Sequence, residues 1–239
     1  MKIITVASAK GGVGKSTFCC VVAEMLASQG KRVLLADMDI GVRSLDILLN
    51  VSEKTVYNWG DIIKGNCDYR KAVIEAKKDI FLLPAPIDFS DDYTVDGFKE
   101  MIERFRKDFD FILLDAPAGL ESGFMLAAGA TDSCIVISTP DAISIRAASY
   151  AAEKMKKSGI SDIRLVVNKF NKKIHKNINV DEFIDNVGAQ FLGIVPDSLE
   201  IYNSVNGKKI PYDCKGNQAF LRVSKRISGE NVPFRTKLL

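Results

Sequence analysis

The sequence predicts an α/β fold: a mostly parallel, twisted sheet covered by helices on both faces. Two patterns predict it. Short, nearly all-apolar runs alternate with helical stretches, and strands without a polar face belong in a parallel sheet buried under helices. The first such run, residues 3–7, leads into Ala9-Lys10-Gly11-Gly12-Val13-Gly14-Lys15-Ser16-Thr17 and then a helix. Strand, glycine-rich turn, lysine, hydroxyl and helix together form the phosphate-binding element of a P-loop NTPase fold.

Each element follows in order. Residues 18–29 read as a helix stopped by Gly30, and 32–38 as a second strand ending at Asp37 and Asp39. Residues 45–49 suit a short helical turn. Residues 55–64 carry Val56, Trp59, Ile62 and Ile63 at helical spacing before Gly65. Trp59 reads as core. A strand over 80–83 is ended by Pro84 and Pro86, and an amphipathic helix over 94–107 presents Val95, Phe98, Ile102 and Phe105 on one side. Then come a strand at 109–115, a helix of small residues at 122–130, a strand at 133–138 and a helix at 141–158 closed by Gly159. The remainder reads as a strand at 163–168, a helix at 180–187, a strand at 191–195, a short helix at 198–203 and a last helix at 218–228. No repeat, low-complexity linker or domain boundary is visible, so residues 1–239 are expected to form one domain. Residues 169–176, with four lysines and His175, read as a solvated basic loop, the alternative being a nucleotide or partner contact.

Composition narrows the function. The chain has 239 residues, 47% hydrophobic and 26% charged, an ordinary globular balance. A net charge of +3 does not argue for nucleic acid. No apolar window of about 18 residues predicts a membrane span, and the N-terminus enters strand and P-loop at once rather than a signal peptide. The five cysteines are scattered without a CxxC pair, which suggests reduced thiols in a cytoplasm and no metal cluster. With His175 the only histidine, a histidine triad or zinc site is excluded.

The residue types explain the loop. Gly11, Gly12 and Gly14 let backbone N–H groups of the 11–17 turn, Val13 and Thr17 included, close around an anion. The helix adds its positive end. Lys15 can reach the β- and γ-phosphates, and the Ser16 hydroxyl suits Mg²⁺, a hard ion that prefers oxygen. Ala9 stands where the general pattern has glycine, and Lys10 adds a second lysine. Ligands in such sheets bind outside the carboxyl ends of the strands. There the chain places Asp37-Met38-Asp39-Ile40-Gly41 and Asp115-Ala116-Pro117-Ala118-Gly119. Asp115, after four apolar residues, fits a Walker B carboxylate holding Mg²⁺. Asp39 is a candidate to orient an attacking water and to help hold the metal, and Gly119 could offer a backbone N–H to the γ-phosphate.

These stretches carry a resemblance. Residues 10–17, the run Asp37-Met38-Asp39-Ile40-Gly41-Val42-Arg43-Ser44-Leu45-Asp46 and the run Asp115-Ala116-Pro117-Ala118-Gly119-Leu120-Glu121-Ser122-Gly123 resemble the deviant-Walker-A ATPases of the ParA/MinD group, and its MinD branch in particular. Val232-Pro233-Phe234-Arg235 extends the likeness to about residue 235. The resemblance implies ATP or ADP with Mg²⁺ as ligands, hydrolysis of ATP to ADP and phosphate that is slow and partner-stimulated, and an ATP-dependent homodimer that recruits a protein partner. It implies a cytoplasmic protein with a role in placing the division site. Lys10 would be the signature lysine that crosses to the partner's phosphates. Asn168 and Pro196-Asp197 would contact adenine.

Two departures are visible. Ala147, after Arg146, stands where the branch has an aspartate that contacts the signature lysine. After Arg235 only Thr236-Lys237-Leu238-Leu239 remains, about one turn where the branch carries a basic amphipathic helix, so attachment at the inner membrane face is expected to be weak or indirect. Two other classes stay open at this level. One is a ParA-type DNA-partitioning or flagellar-number ATPase, with specific DNA binding not expected from the 37–46 segment. The other is a P-loop enzyme acting on a small metabolite.

Overall fold

The computed structural model describes residues 1–175, 180–204 and 213–234. The strands are β1 (Lys2–Ala7), β2 (Val33–Asp37), β3 (Ile74–Lys77), β4 (Ile80–Leu83), β5 (Phe111–Asp115), β6 (Ser133–Ser138), β7 (Ile163–Phe170) and β8 (Gln190–Pro196). The helices are α1 (Lys15–Ser28), α2 (Ser44–Leu48), α3 (Trp59–Ile63), α4 (Val95–Glu103), α5 (Ser122–Ala130), α6 (Ala142–Lys157), α7 (Val180–Val187), α8 (Leu199–Ser204) and α9 (Lys215–Ile227). The eight strands form one sheet in the order β3-β4-β2-β5-β1-β6-β7-β8, parallel throughout except for the β3–β4 pair.

Alternation along each strand builds the two faces. Ile4 and Val6 of β1, with Val33 and Leu35 of β2, pack beneath α1, α2 and α9. Ile3, Leu34, Ala36, Ile112 and Leu114 pack against α3, α4 and α5 on the other face. Val136, Leu165 and Val167 continue that second face under α6 and α7. Trp59 is fully buried, meets Tyr93 and Phe98 edge-on, and donates its indole N–H to the Asp37 carbonyl at 2.9 Å.

The topology selects where the site lies. β5 sits between β1 and β2, in register so that Asp115 pairs with Val6 on one side and with Asp37 on the other. The carboxyl ends of three neighbouring strands therefore deliver the P-loop, Asp115 and Asp37 to one place. The chain leaves β1 towards β2 and returns on the far side as β6, which makes this the switch point where such sheets bind ligands.

Several elements differ from the sequence expectation. β3 was not anticipated: Ile74-Glu75-Ala76-Lys77 lacks the all-apolar run of the other strands and instead alternates, Ile74 and Ala76 against the core and Glu75 and Lys77 outward, as an antiparallel edge strand does. The 94–107 helix tightens into a 3-10 turn at Arg104–Lys107. The 55–64 helix starts only at Trp59, where Asn58 caps it and Asp61 returns a bond to the Asn58 N–H. α9 begins at Lys215, three residues before the expected start. Lys176 of the basic loop and residues 235–239 lie outside the described residues.

Candidate active site

The loop after β1 has the backbone that the glycines were expected to allow. Gly12 and Gly14 have φ of 74° and 97°, left-handed values that other residues rarely adopt. Gly14 is the N-cap of α1, and no side chain caps the helix. The first N–H groups of α1 are therefore aimed, unpaired, at the cleft, with the positive end of the helix behind them. The cleft measures about 730 Å³. Gly11, Gly12, Gly14, Lys15, Ser16 and Thr17 line it together with Asp39, Asn168, Pro196 and Asp197.

Its charges are concentrated and mostly buried. Lys15 is only 8% exposed. Burial pushes its pKa down, opposed by the Asp115 and Asp39 carboxylates. Burial raises Asp115 to about 7, with the neighbouring Asp37 adding to the rise; the Ser16 hydroxyl, Lys15 and Cys19 oppose it. Burial likewise lifts Asp37 to about 6, although its carboxylate accepts the Leu45 and Asp39 N–H groups at 2.9 Å each. Asp39, half-buried, is raised by burial and restrained by Lys15. Asp37 thus shapes the 39–45 loop from behind, while Asp39 is the carboxylate that reaches the cleft.

The oxygen chemistry fits Mg²⁺. Ser16 and Asp39 line the cleft, and the Ser16 hydroxyl is close enough to the buried Asp115 carboxylate to lower its pKa. No full cage of three acidic, histidine or cysteine side chains is present among the described residues. Mg²⁺ suits such a site, since it keeps waters and is shared with substrate phosphates.

These pKa values predict a pH dependence. Asp37 and Asp115 bind protons more tightly folded than unfolded, where a carboxyl titrates near pH 4. Between about pH 4 and 7 the folded chain holds more protons, so stability falls as pH rises through that window. The ligand-free protein should melt roughly 5 °C higher at pH 5 than at pH 7.5, from a difference on the order of 2 kcal/mol. Asp115→Asn should flatten that slope in a melting series; an unchanged slope in the variant would remove Asp115 as its source.

Not every expected residue lines the cleft: Asp115, 1% exposed, is not part of its lining. Val13 is buried, and its carbonyl accepts the Asn168 side-chain amide at 2.8 Å. Gly119, with φ 104°, lies outside the cleft lining, in the loop after β5. Lys10 also lies outside. Its ammonium pairs with Asp141 at 3.1 and 3.2 Å. Asp141 caps α6 through the Ser144 N–H and accepts the Thr139 hydroxyl. Burial alone would raise this carboxyl; the bonds from Thr139, Ser144 and Lys10 outweigh it and hold it well below the usual range. Lys10 therefore has an acidic partner despite Ala147, supplied from the start of the same helix. Sequence reasoning missed Asp141, although its position just before a helix marked it as a cap. Of the basic loop, Lys169 favours the alternative reading of a nucleotide contact: it is exposed, lines the cleft and donates to the Gly12 carbonyl at 2.8 Å.

Comparison with known proteins agrees with this geometry. The family model of the AAA domain (AAA_31) matches residues 1–180. The septum site-determining protein MinD of Bacillus subtilis is 33% identical over 97% of this chain and 91% of its own length. The MinC:MinD cell division protein complex of Aquifex aeolicus contains a chain 30% identical, with a TM-score of 0.89 over 98% of both chains. The septum site-determining protein MinD of Pyrococcus horikoshii, solved in complex with Mg-ADP, shares the fold at 24% identity, with a TM-score of 0.85 over 95% of both chains. P-loop, strand-end aspartates and near-full-length likeness coincide, and the chain belongs to the MinD family of septum site-determining proteins within the AAA_31 domain family.

Proposed function

We propose that residues 1–239 act as one ATPase domain in which Mg-ATP closes a sandwich dimer, the dimer recruits a protein partner, and hydrolysis to ADP and phosphate releases it. The observation that carries this reading is the pair of lysines. Lys15 is buried in its own cleft, while Lys10, five residues earlier, is held at the surface on Asp141. A cation outside its own cleft is suited to supply charge to a second subunit's phosphates. Its bond to Asp141 is half-exposed on both sides, a kind of pair worth roughly 0–1 kcal/mol, so a phosphate can displace it readily.

The other residues take their roles from position. The N–H groups of the 11–17 loop and Lys15 bind the phosphates. Ser16 and Asp115 would hold Mg²⁺, which when bound neutralises the phosphate oxygens. Asp39 would orient water at the γ-phosphate, with the Gly119 N–H as a contact that forms on closure. Asn168 uses its N–H on the Val13 carbonyl, which leaves its oxygen for the adenine amino group beside Pro196 and Asp197. Division-site placement, with a MinC-type protein as partner, is the role that the family and the Aquifex aeolicus complex support. No helix among the described residues is long and apolar enough to cross a membrane. From the family we place the protein in the cytoplasm, meeting the membrane only weakly or through its partner.

The test is the mass of Asp39→Ala in solution, by light scattering with Mg-ATP and with Mg-ADP. The variant should be a dimer with ATP and a monomer with ADP. Monomers under both conditions, with nucleotide bound, would refute the dimer. Sedimentation of the ATP dimer with anionic vesicles would show direct membrane binding and overturn the indirect route.

A further inference from the structure

Two side chains with no place in the reaction above touch the Ser16–Asp115 pair from opposite ends. Ser16 and Cys19 lie three residues apart on α1, so both face the end of β5. The Cys19 thiol donates to Asp115 Oδ1 at 3.7 Å, and both residues are buried. On the other side Ser44, the first residue of α2, donates its hydroxyl to Ser16 Oγ at 3.2 Å. The contacts form one line: Ser44, Ser16, Asp115, Cys19.

The proton and lone-pair count gives this line a direction. A hydroxyl has one proton and two lone pairs. The Ser44 proton takes one lone pair of Ser16. One lone pair of Ser16 remains for a cation. At the far end the thiol donates to Oδ1 and restrains the rotation of the Asp115 carboxylate, which faces Asp37 across the β2–β5 register. The element at residue 19 suits that task. A neutral thiol is a soft, weak donor, whereas Mg²⁺ takes hard oxygen ligands. Cys19 can therefore orient Asp115 without competing for the ion.

We propose that Cys19 and Ser44 are positioning residues for the Mg²⁺ site, holding Ser16 and Asp115 in the orientation that receives the ion. The inference rests on the Mg-nucleotide reading above. It also links α2, and through it the loop that carries Asp39, to the metal ligand on α1.

The experiment titrates Mg²⁺ into wild type, Cys19→Ala, Cys19→Ser and Ser44→Ala, with a fluorescent ADP analogue as probe. Binding without Mg²⁺ should stay within about twofold of wild type. The Mg²⁺ midpoint should rise about three- to tenfold in Cys19→Ala and Ser44→Ala, the size of one lost hydrogen bond. Cys19→Ser should return towards wild type. Midpoints equal to wild type in both alanine variants would overturn the proposal. A wild type with no Mg²⁺ dependence would instead sink the nucleotide reading and this inference with it. A readout free of variant folding is the Raman S–H stretching band of Cys19, assigned by difference from Cys19→Ser. It should lie at the hydrogen-bonded position in the ligand-free protein; a free-thiol position would refute the contact.

Discussion

Lys15→Ala should lower kcat/KM for ATP by about 10²–10³-fold, the loss expected when a preorganised charge is removed from a dry site. Lys15 is the only buried cation among the described residues, and it faces Asp115 and Asp39. Without it the cleft loses its one buried side-chain cation, and Asp115 and Asp39 lose the positive charge that faces them. Part of the loss should appear as weaker nucleotide binding, since truncating one partner of a buried charged pair costs about 2–5 kcal/mol. Equilibrium binding of a fluorescent nucleotide measures that share directly, and steady-state phosphate release measures the rest. A variant that binds and turns over ATP within tenfold of wild type would remove Lys15 from the phosphate site.

Lys10→Ala should separate binding from turnover. The lysine lies outside its own cleft, so nucleotide affinity should stay within about threefold. Hydrolysis should fall by about 10²-fold or more, because a cation donated in trans is worth at least that much in phosphoryl transfer. Asp141 supplies the opposite control. Asp141→Ala removes the partner that holds Lys10 and an N-cap of α6, costing about 1 kcal/mol of stability. It should raise basal hydrolysis or dimer fraction, since Lys10 no longer has to leave a carboxylate. Phosphate release at increasing protein concentration checks both variants. Wild-type turnover by Lys10→Ala, with the same concentration dependence, would exclude a role in trans.

What the sequence revealed depended on how local each feature is. The phosphate loop was legible because glycines, lysine and hydroxyl act through backbone positions that their own order dictates. Asp37, Asp39 and Asp115 were legible because each ends an apolar run, and parallel strands bring such ends together. β3 was not legible, since Glu75 and Lys77 respond to an edge position that only the finished sheet creates. The partner of Lys10 was equally hidden. Asp141 is 131 positions away in sequence and announces itself only as a helix cap. Ser44 and Cys19 sat inside runs already noted, but hydrogen bonds between side chains of different elements depend on how those elements pack.

The bond from the Trp59 indole N–H to the Asp37 carbonyl also gives the molecule an optical reporter. The chain has one tryptophan, so its emission has a single source. That source is tied to the strand end whose side chain anchors the N–H groups of Asp39 and Leu45. A shift of the 39–45 loop when the cleft fills alters the field at the indole ring, and unlabelled protein reports it in real time.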